Sequence, residues 1–307
     1  MYTILGATGT VGAQVTTRLL DAGHRVRAVG RSSERLDALA RLGADTAVAD
    51  TTDSSALATA MRDSDAVFVM QPVDHTAADH LASQRTMTDA IVRALRESGV
   101  PRVVALSSVG AEISSGTGFL AGLHILEQRL AELSGVEVLA LRAGWFYDNA
   151  RSYLPLMQNA GIVADSLDPH VAVPMVATRD IAAAAVDALV GTGWGGKHLS
   201  REILGPVNVD QATVTAALGR AFGLPKLRYE RLSDDDMVAT LVDEAGFSPD
   251  VAGHHVGMTR AINDGRVVGR RPGTTVLTGP TTIDDYATGL AAAAMATTSS
   301  PTDQLSR

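Results

Sequence analysis

The turn Gly6-Ala7-Thr8-Gly9-Thr10-Val11-Gly12 lies between the apolar run Tyr2–Leu5 and a segment in which Val11, Val15 and Leu19 share one helix face. Few folds accept that arrangement. Glycines at this spacing between a strand and a helix allow a tight turn, a close backbone approach to a pyrophosphate, and tight helix–sheet packing. The phosphate charge is then met by N–H groups at the helix N-terminus. Gly6 is expected in the turn, Gly9 at the phosphate and Gly12 at the packing contact, with Ala7, Thr8, Thr10 and Val11 completing a dinucleotide loop. A turn that serves packing alone is the alternative.

Short apolar runs continue at Arg25–Val29, Thr46–Ala49, Ala66–Met70, Arg102–Leu106 and Glu137–Leu141. They are apolar on both faces, as parallel strands covered on both sides must be. Helical patterns separate them: one after the glycine turn, one holding Leu81, Ile91 and Leu95, one over Phe119–Leu133. The alternation predicts an α/β fold, a Rossmann-type doubly wound parallel sheet. After Gly144 the rhythm breaks. A helix at 178–189 and a strand at 198–204 resume it, and helices are expected at 211–222, 233–245, 249–262 and 283–296. The predicted organisation is a dinucleotide-binding domain of residues 1–147 plus 178–205, a smaller, mostly helical C-terminal substrate lobe of 148–177 plus 206–296, and a disordered tail at 297–307.

The end of the second strand bears on cofactor choice. An NAD site places a carboxylate there for the adenosine ribose, but this chain has Gly30-Arg31-Ser32-Ser33. Arg31 can grip a 2′-phosphate through a charge-assisted fork, and Ser32 can add a hydroxyl and a helix cap. The cofactor expected is NADP(H), unless Arg31 is an ordinary exposed arginine. Topology places the other contacts at strand ends: Asp50 near the adenine, Met70, Gln71 and Pro72 near the riboses, and Ser107, Ser108, Ala143, Gly144 and Trp145 on the nicotinamide side. Val73, Val109, Phe146, Tyr147 and Asn149 are candidates for the substrate side, with core packing as an equal alternative for the aromatic residues.

Composition narrows the partners. The chain has no cysteine, which excludes thiolate metal sites and cysteine nucleophiles. Its net charge of -8 and lack of a basic stripe argue against nucleic acid. No apolar run is long enough to span a membrane, and no basic region precedes the first apolar stretch as in a signal peptide. A cytoplasmic protein acting on a small molecule is expected, and a homodimer is compatible with it. His124 and Glu127 share a helix face, but no second such pair supports a metal site, so none is expected. His254-His255 is expected at the surface, and Asp234-Asp235-Asp236 at a helix start.

Together with the glycine turn and Arg31, four further stretches carry a family resemblance. They are Leu106-Ser107-Ser108-Val109-Gly110-Ala111, His124-x-x-Glu127, Leu141 to Asn149, and Val173-Pro174 leading to Arg179-Asp180-Ile181-Ala182. Gly279-Pro280-Thr281-Thr282 adds to them. Through these the chain resembles the NmrA-like branch of the atypical short-chain dehydrogenase/reductases, particularly its NAD(P)H:quinone oxidoreductase-like members. Catalytic short-chain reductases carry Tyr-x-x-x-Lys on the helix after the fifth strand, and Leu120 and His124 stand in those places here. The resemblance therefore implies a reductase without the usual proton relay. A quinone or similar conjugated aromatic acceptor suits such a site, because its reduced oxygen is a stabilised phenolate and proximity alone supplies much of the rate. His124 is the candidate proton donor, since histidine titrates near working pH; a bond to backbone or ribose is an equal reading. Ser107 could contact a substrate oxygen or hold its loop. Two other functions fit the same residues: a tailoring enzyme for a specialised aromatic metabolite, and a non-enzymatic NADP(H) sensor.

Overall fold

The computed structural model describes residues 1–195 and 197–298. The first half alternates β1 (Tyr2–Leu5), α1 (Thr10–Asp21), β2 (Val26–Gly30), α2 (Ser33–Arg41), β3 (Asp45–Val48), α3 (Ser54–Met61), β4 (Ala66–Val69), α4 (His80–Ser98), β5 (Arg102–Ser108), α5 (Leu120–Ala131) and β6 (Glu137–Ala143). There follow β7 (Trp145–Phe146), a 3-10 helix (Tyr147–Tyr153), α6 (Leu154–Ala160), β8 (Ile162–Asp165), β9 (Met175–Val176), α7 (Thr178–Val190) and β10 (His198–Leu204). The chain then forms α8 (Gln211–Ala221), β11 (Arg228–Arg231), α9 (Asp234–Asp243), α10 (Pro249–Asn263), β12 (Thr275–Thr278) and α11 (Ile283–Thr298).

Eight strands form one sheet in the order β12-β10-β6-β5-β4-β1-β2-β3, and all neighbours are parallel. This is the doubly wound α/β fold expected from the sequence. The strand order reverses between β1 and β4, and such a switch point opens a crevice at the carboxyl ends of the strands. Helices cover both faces. Val11, Val15 and Leu19 of α1 join Ile181 and Leu189 of α7 in an apolar layer on one side. Leu57, Ile91, Leu95 and Leu126 from α3, α4 and α5 form the layer on the other.

Helix starts follow local chemistry. Ser32, Asp53, Asp79, Asp210, Ser233 and Ser248 each accept a backbone N–H from the first turn of the following helix, supplying an acceptor that the helix itself lacks there. The acidic run Asp234–Asp236 thus begins α9 as expected. Gly99 ends α4 at φ +69, a left-handed cap that glycine adopts without strain.

The irregular segment and the C-terminal helices pack together. Tyr153, Met157 and Val163 share a core with Val214, Leu218 and Ile262, and β8 pairs with β11 in a separate parallel pair. One departure from the expected organisation is clear. Residues 275–278, within the range assigned to the lobe, form β12 and pair with β10 in the main sheet from Arg201↔Thr275 to Leu204↔Thr278. The run Thr-Val-Leu-Thr is short and half exposed, so it carries little periodic signal until its partner strand is in place. The expected tail lies outside the described residues from position 299, while α11 continues through Thr298.

Candidate functional site

The glycine turn is built as its spacing demands. Gly6 has φ +62, and its carbonyl accepts from the Gly9 N–H at 2.9 Å. A Cβ on Gly12 would lie 2.8 Å from the carbonyl carbon of Gly6 and 3.0 Å from Cα of Ala7. Helix α1 therefore packs directly on the turn. Its cap residue, Gly9, has no side chain to close the first N–H groups, so the positive end of the helix is open to an anion. Ala7 and Val11 are buried in the core, which leaves only their backbone for a ligand. A cavity of about 130 Å³ runs from this turn across the switch point, lined among others by Gly6, Gly9, Arg31, Thr51, Met70 and Pro72. The phosphate-bearing adenosine end of a dinucleotide suits these features: an uncapped helix start, a side-chain-free turn and a cavity walled by the ends of β1 to β4.

At the end of β2, Arg31 is exposed beside the cavity. Ser32 caps α2, accepting from Arg35 N at 3.3 Å, so its hydroxyl oxygen is already engaged by the helix. Arg35, one turn into α2, donates from Nη2 to the Thr8 carbonyl at 2.8 Å. Two guanidinium groups thus flank this end of the cavity. The sequence signal for Arg35 is present but local: a cation one helical turn past a strand end. Asp50 does not point a free carboxylate at the adenine position. Its Oδ1 accepts from Thr52 N and Thr52 Oγ1, at 2.8 and 2.6 Å, and these bonds hold the acid below its ordinary range. Thr51, not Asp50, lines the cavity.

On the nicotinamide side, the carboxyl ends of β5 and β6 lie adjacent, pairing Ser107↔Arg142 and Ser108↔Ala143. Ser107 is buried and donates to Glu127 Oε1 at 2.5 Å. Arg142 grips the same carboxylate with Nε at 3.0 Å and Nη2 at 2.6 Å. Its Nη1 reaches Glu112 at 3.2 Å, and Glu112 in turn meets Arg271 at 3.1 Å. Ser108 donates to the carbonyls of Val109 and Ala143. Both serine protons are therefore committed inside the protein, and what Ser107 can still offer a ligand is a lone pair.

His124 Nδ1 lies 2.8 Å from the Ala111 carbonyl. A carbonyl only accepts, so Nδ1 carries a proton and the neutral ring presents a lone pair at Nε2. His124 can donate from Nε2 only as the imidazolium. Glu127 is engaged by Arg142 and Ser107, so it does not converge with His124 on a common ion.

The other candidates separate. Met70 and Pro72 line the cavity, but Gln71 is buried and turns its amide to the Gln84 carbonyl at 2.9 Å and Thr88 Oγ1 at 2.8 Å. Val73 is half-buried. Val109 is buried in the lobe core. Trp145 and Phe146 are half-buried against apolar clusters, and Gly144 closes tightly on Leu204 and the Pro174 backbone. Tyr147 is buried beside Tyr286 of α11, with ring centroids 5.7 Å apart. Burial, reinforced by Asp180, pushes its phenol up to about 12. Its neighbours include Tyr286 of α11 and Asp180 of α7, and it shares a core with Val109 and Leu120. Asn149 is exposed. His254 and His255 are not a surface pair: their rings pack on His80 and Phe119 respectively.

The Glu127–Arg142 pair gives a first testable consequence. Arg142→Met should destabilise the protein by about 2–4 kcal/mol, because it leaves Glu127, mostly shielded from water, without a cationic partner, while Glu112 keeps Arg271. Urea denaturation measures the loss; an unchanged midpoint would show that the network carries no net stability.

Fold and site define a dinucleotide-binding Rossmann protein. The comparisons with known proteins make that specific. Residues 6–191 match the NAD(P)H-binding family, and the chain belongs to that family, in its NmrA-like atypical short-chain dehydrogenase/reductase branch. It is 33% identical over 252 residues to a (4-alkanoyl-5-oxo-2,5-dihydrofuran-3-yl)methyl phosphate reductase of Streptomyces griseus, covering 82% of this chain and 83% of that protein. It is 30% identical over 229 residues to an NAD(P)H azoreductase of Xenophilus azovorans, covering 75% and 76%. The fold matches the NADPH-dependent quinone oxidoreductase of Escherichia coli, crystallised with NADPH, with TM-score 0.72 and 23% identity over 94% of this chain and 99% of that one. Among the described residues no helix is long and apolar enough to cross a membrane.

Proposed function

We propose that this protein is an NADPH-dependent oxidoreductase that passes hydride to a quinone or similar conjugated acceptor. The observation that carries the acceptor class is the commitment of both strand-end serine protons, Ser107 to Glu127 and Ser108 to main-chain carbonyls. A ketone reduced to an alkoxide needs a proton at once. A quinone does not, because its two-electron product is a phenolate that water can protonate. The names of the relatives support the same class, since an azo group and an oxo-dihydrofuran carrying an alkanoyl group are both conjugated acceptors. Bound NADPH would supply the hydride, two electrons and one hydrogen, and leave as the oxidised cofactor.

The chain's own residues bind and orient. The open start of α1 meets the pyrophosphate, while Arg31 and Arg35 meet the 2′-phosphate. Ser107, its proton held by Glu127, accepts from a ribose hydroxyl or the carboxamide. His124, oriented by Ala111, stands ready to donate from Nε2 when protonated. Loss of the near-ultraviolet absorbance of NADPH with a panel of quinones, azo dyes and acyl-butenolides tests the proposal. Turnover of the butenolides alone would favour a narrow tailoring reductase, a reading that the similarity to the Streptomyces protein supports. Tight NADPH binding without turnover of any acceptor would replace both with a sensor.

A role for His124 as donor to the acceptor makes a separate expectation. His124→Phe should slow quinone turnover by NADPH. Equal turnover in the variant would leave water as the proton source.

A further inference from the structure

The start of α10 is fastened to the loop that joins β4 to α4. Ser248 Oγ donates to the Ala77 carbonyl at 2.6 Å, and Ser248 N donates to the His75 carbonyl at 2.8 Å. Asp250 accepts from the backbone N–H of His80 at 2.7 Å. The rings of His75 and Phe247 lie 4.2 Å apart. His80 lies 4.9 Å from both Phe119 and His254, and His255 meets Phe119 edge-on at 5.9 Å. The backbone of Gly118, just before α5, leaves no room for a side chain against α10. The loop, the start of α5 and the lobe helix therefore meet in one knot of imidazole and phenyl rings.

The knot is dry. His80 is 1% exposed, and neither of its ring nitrogens has a partner; Nε2 of His255 is buried without one as well. A neutral imidazole tolerates this, whereas an imidazolium brings a charge to hydrate and a second N–H to satisfy. The groups facing His80 are Asp79 on its own helix and His254 and Asp250 on α10. Asp250 is already engaged by the His80 backbone and lies 3.8 Å from His254 Nε2. Asp165 and His75 face His255, the first favouring its charge and the second opposing it.

We propose that this histidine knot is an acid-released clasp: on protonation, α10 separates from the β4–α4 loop and loosens the lobe at the wall of the cofactor cleft. The loop begins at Met70 and Pro72, which line that cleft. The consequence for access rests on the site assignment above; the clasp itself does not.

Burial, then the neighbouring His254, pushes His80 down to about 4 from an ordinary 6.5. Burial lowers His255 in the same direction. A histidine depressed in the closed form holds the clasp above about pH 6.5 and opposes it as the pH falls from 6.5 towards 4. From about pH 7.5 to pH 5, His80 alone should lower the closed-to-open ratio by about 25-fold.

Hydrogen exchange of the full chain, corrected for the intrinsic effect of pH, tests this directly. Peptides covering 71–82 and 247–258 should lose protection by about that factor across this range, while those of β1 and β5 should not. His80→Leu, which fills the site without a titrating group, should remove that factor of about 25 and leave only what His255 contributes. If that variant does not fold, the wild-type imidazole signals decide alone: His80 should titrate well below the ordinary range, in step with the loss of protection. A constant protection, an ordinary His80 titration in a closed clasp, or an unchanged pH response in the folded variant would each overturn the proposal. The readout needs no turnover, so it stands apart from the assignment of the reaction.

Discussion

Arg31→Asp should raise the dissociation constant for NADPH by about 100-fold and that for NADH by less than about 3-fold. The substitution replaces a guanidinium able to fork onto the 2′-phosphate with a carboxylate that repels it, and NADH has no such phosphate. Arg31 is exposed, so the difference should shrink as salt is added, which distinguishes a charge effect from a packing defect. Arg35→Ala should cost less, about 5-fold, because a single charge is removed and none of opposite sign replaces it. Calorimetric titration at two ionic strengths measures all three effects. An equal loss for both cofactors would move the selectivity to residues other than these arginines.

Gly12→Ala should destabilise the fold by about 3 kcal/mol and abolish dinucleotide binding together. The added methyl would meet the Gly6 carbonyl group and Cα of Ala7. All of these are backbone atoms, so no side chain can rotate aside. Either α1 moves away from the turn, and its N–H groups leave the phosphate position, or the turn itself is distorted. Gly23→Ala is the matched control. Gly23 has φ +80 but nothing within 4 Å of an added Cβ, so it should show conformational strain alone, about 1 kcal/mol, with the cofactor site intact. Thermal melting and NADPH titration of the pair give the comparison. A Gly12→Ala protein that melts and binds like wild type would mean that the helix does not pack on the turn as described.

These two predictions rest on features that differ in how they could be read from the chain. The Gly12 contact follows from spacing, since strand, turn and helix are local and their geometry leaves one way to pack. Arg31 follows from its place after a strand. Arg35 is equally local but lies within a helix, where an exposed cation is ordinary until its bond to the Thr8 carbonyl is seen. Tyr147 illustrates an ambiguity that local sequence leaves open. An aromatic residue leaving the sheet is as consistent with a substrate wall as with a core, and contact with Tyr286, 139 positions later, places it beside α11. His254 and His255 looked like surface residues because their burial depends on Phe119 and His80, which no local pattern connects to them.

By itself the sequence determined the parallel sheet, the alternation of its first strands and helices, the helix starts at Ser32 and at Asp234–Asp236, and the glycine turn with its arginine. All of these depend on residues a few positions apart, where backbone sterics, capping and apolar periodicity act directly. Only the tertiary structure decided that β12 returns to the main sheet, that the Ser107 proton belongs to Glu127, and that His80 is buried without a partner for its ring nitrogens, packed on Phe119 and His254. Each of those depends on which distant side chains exclude water from one another, and burial, unlike periodicity, is a property of the assembled chain.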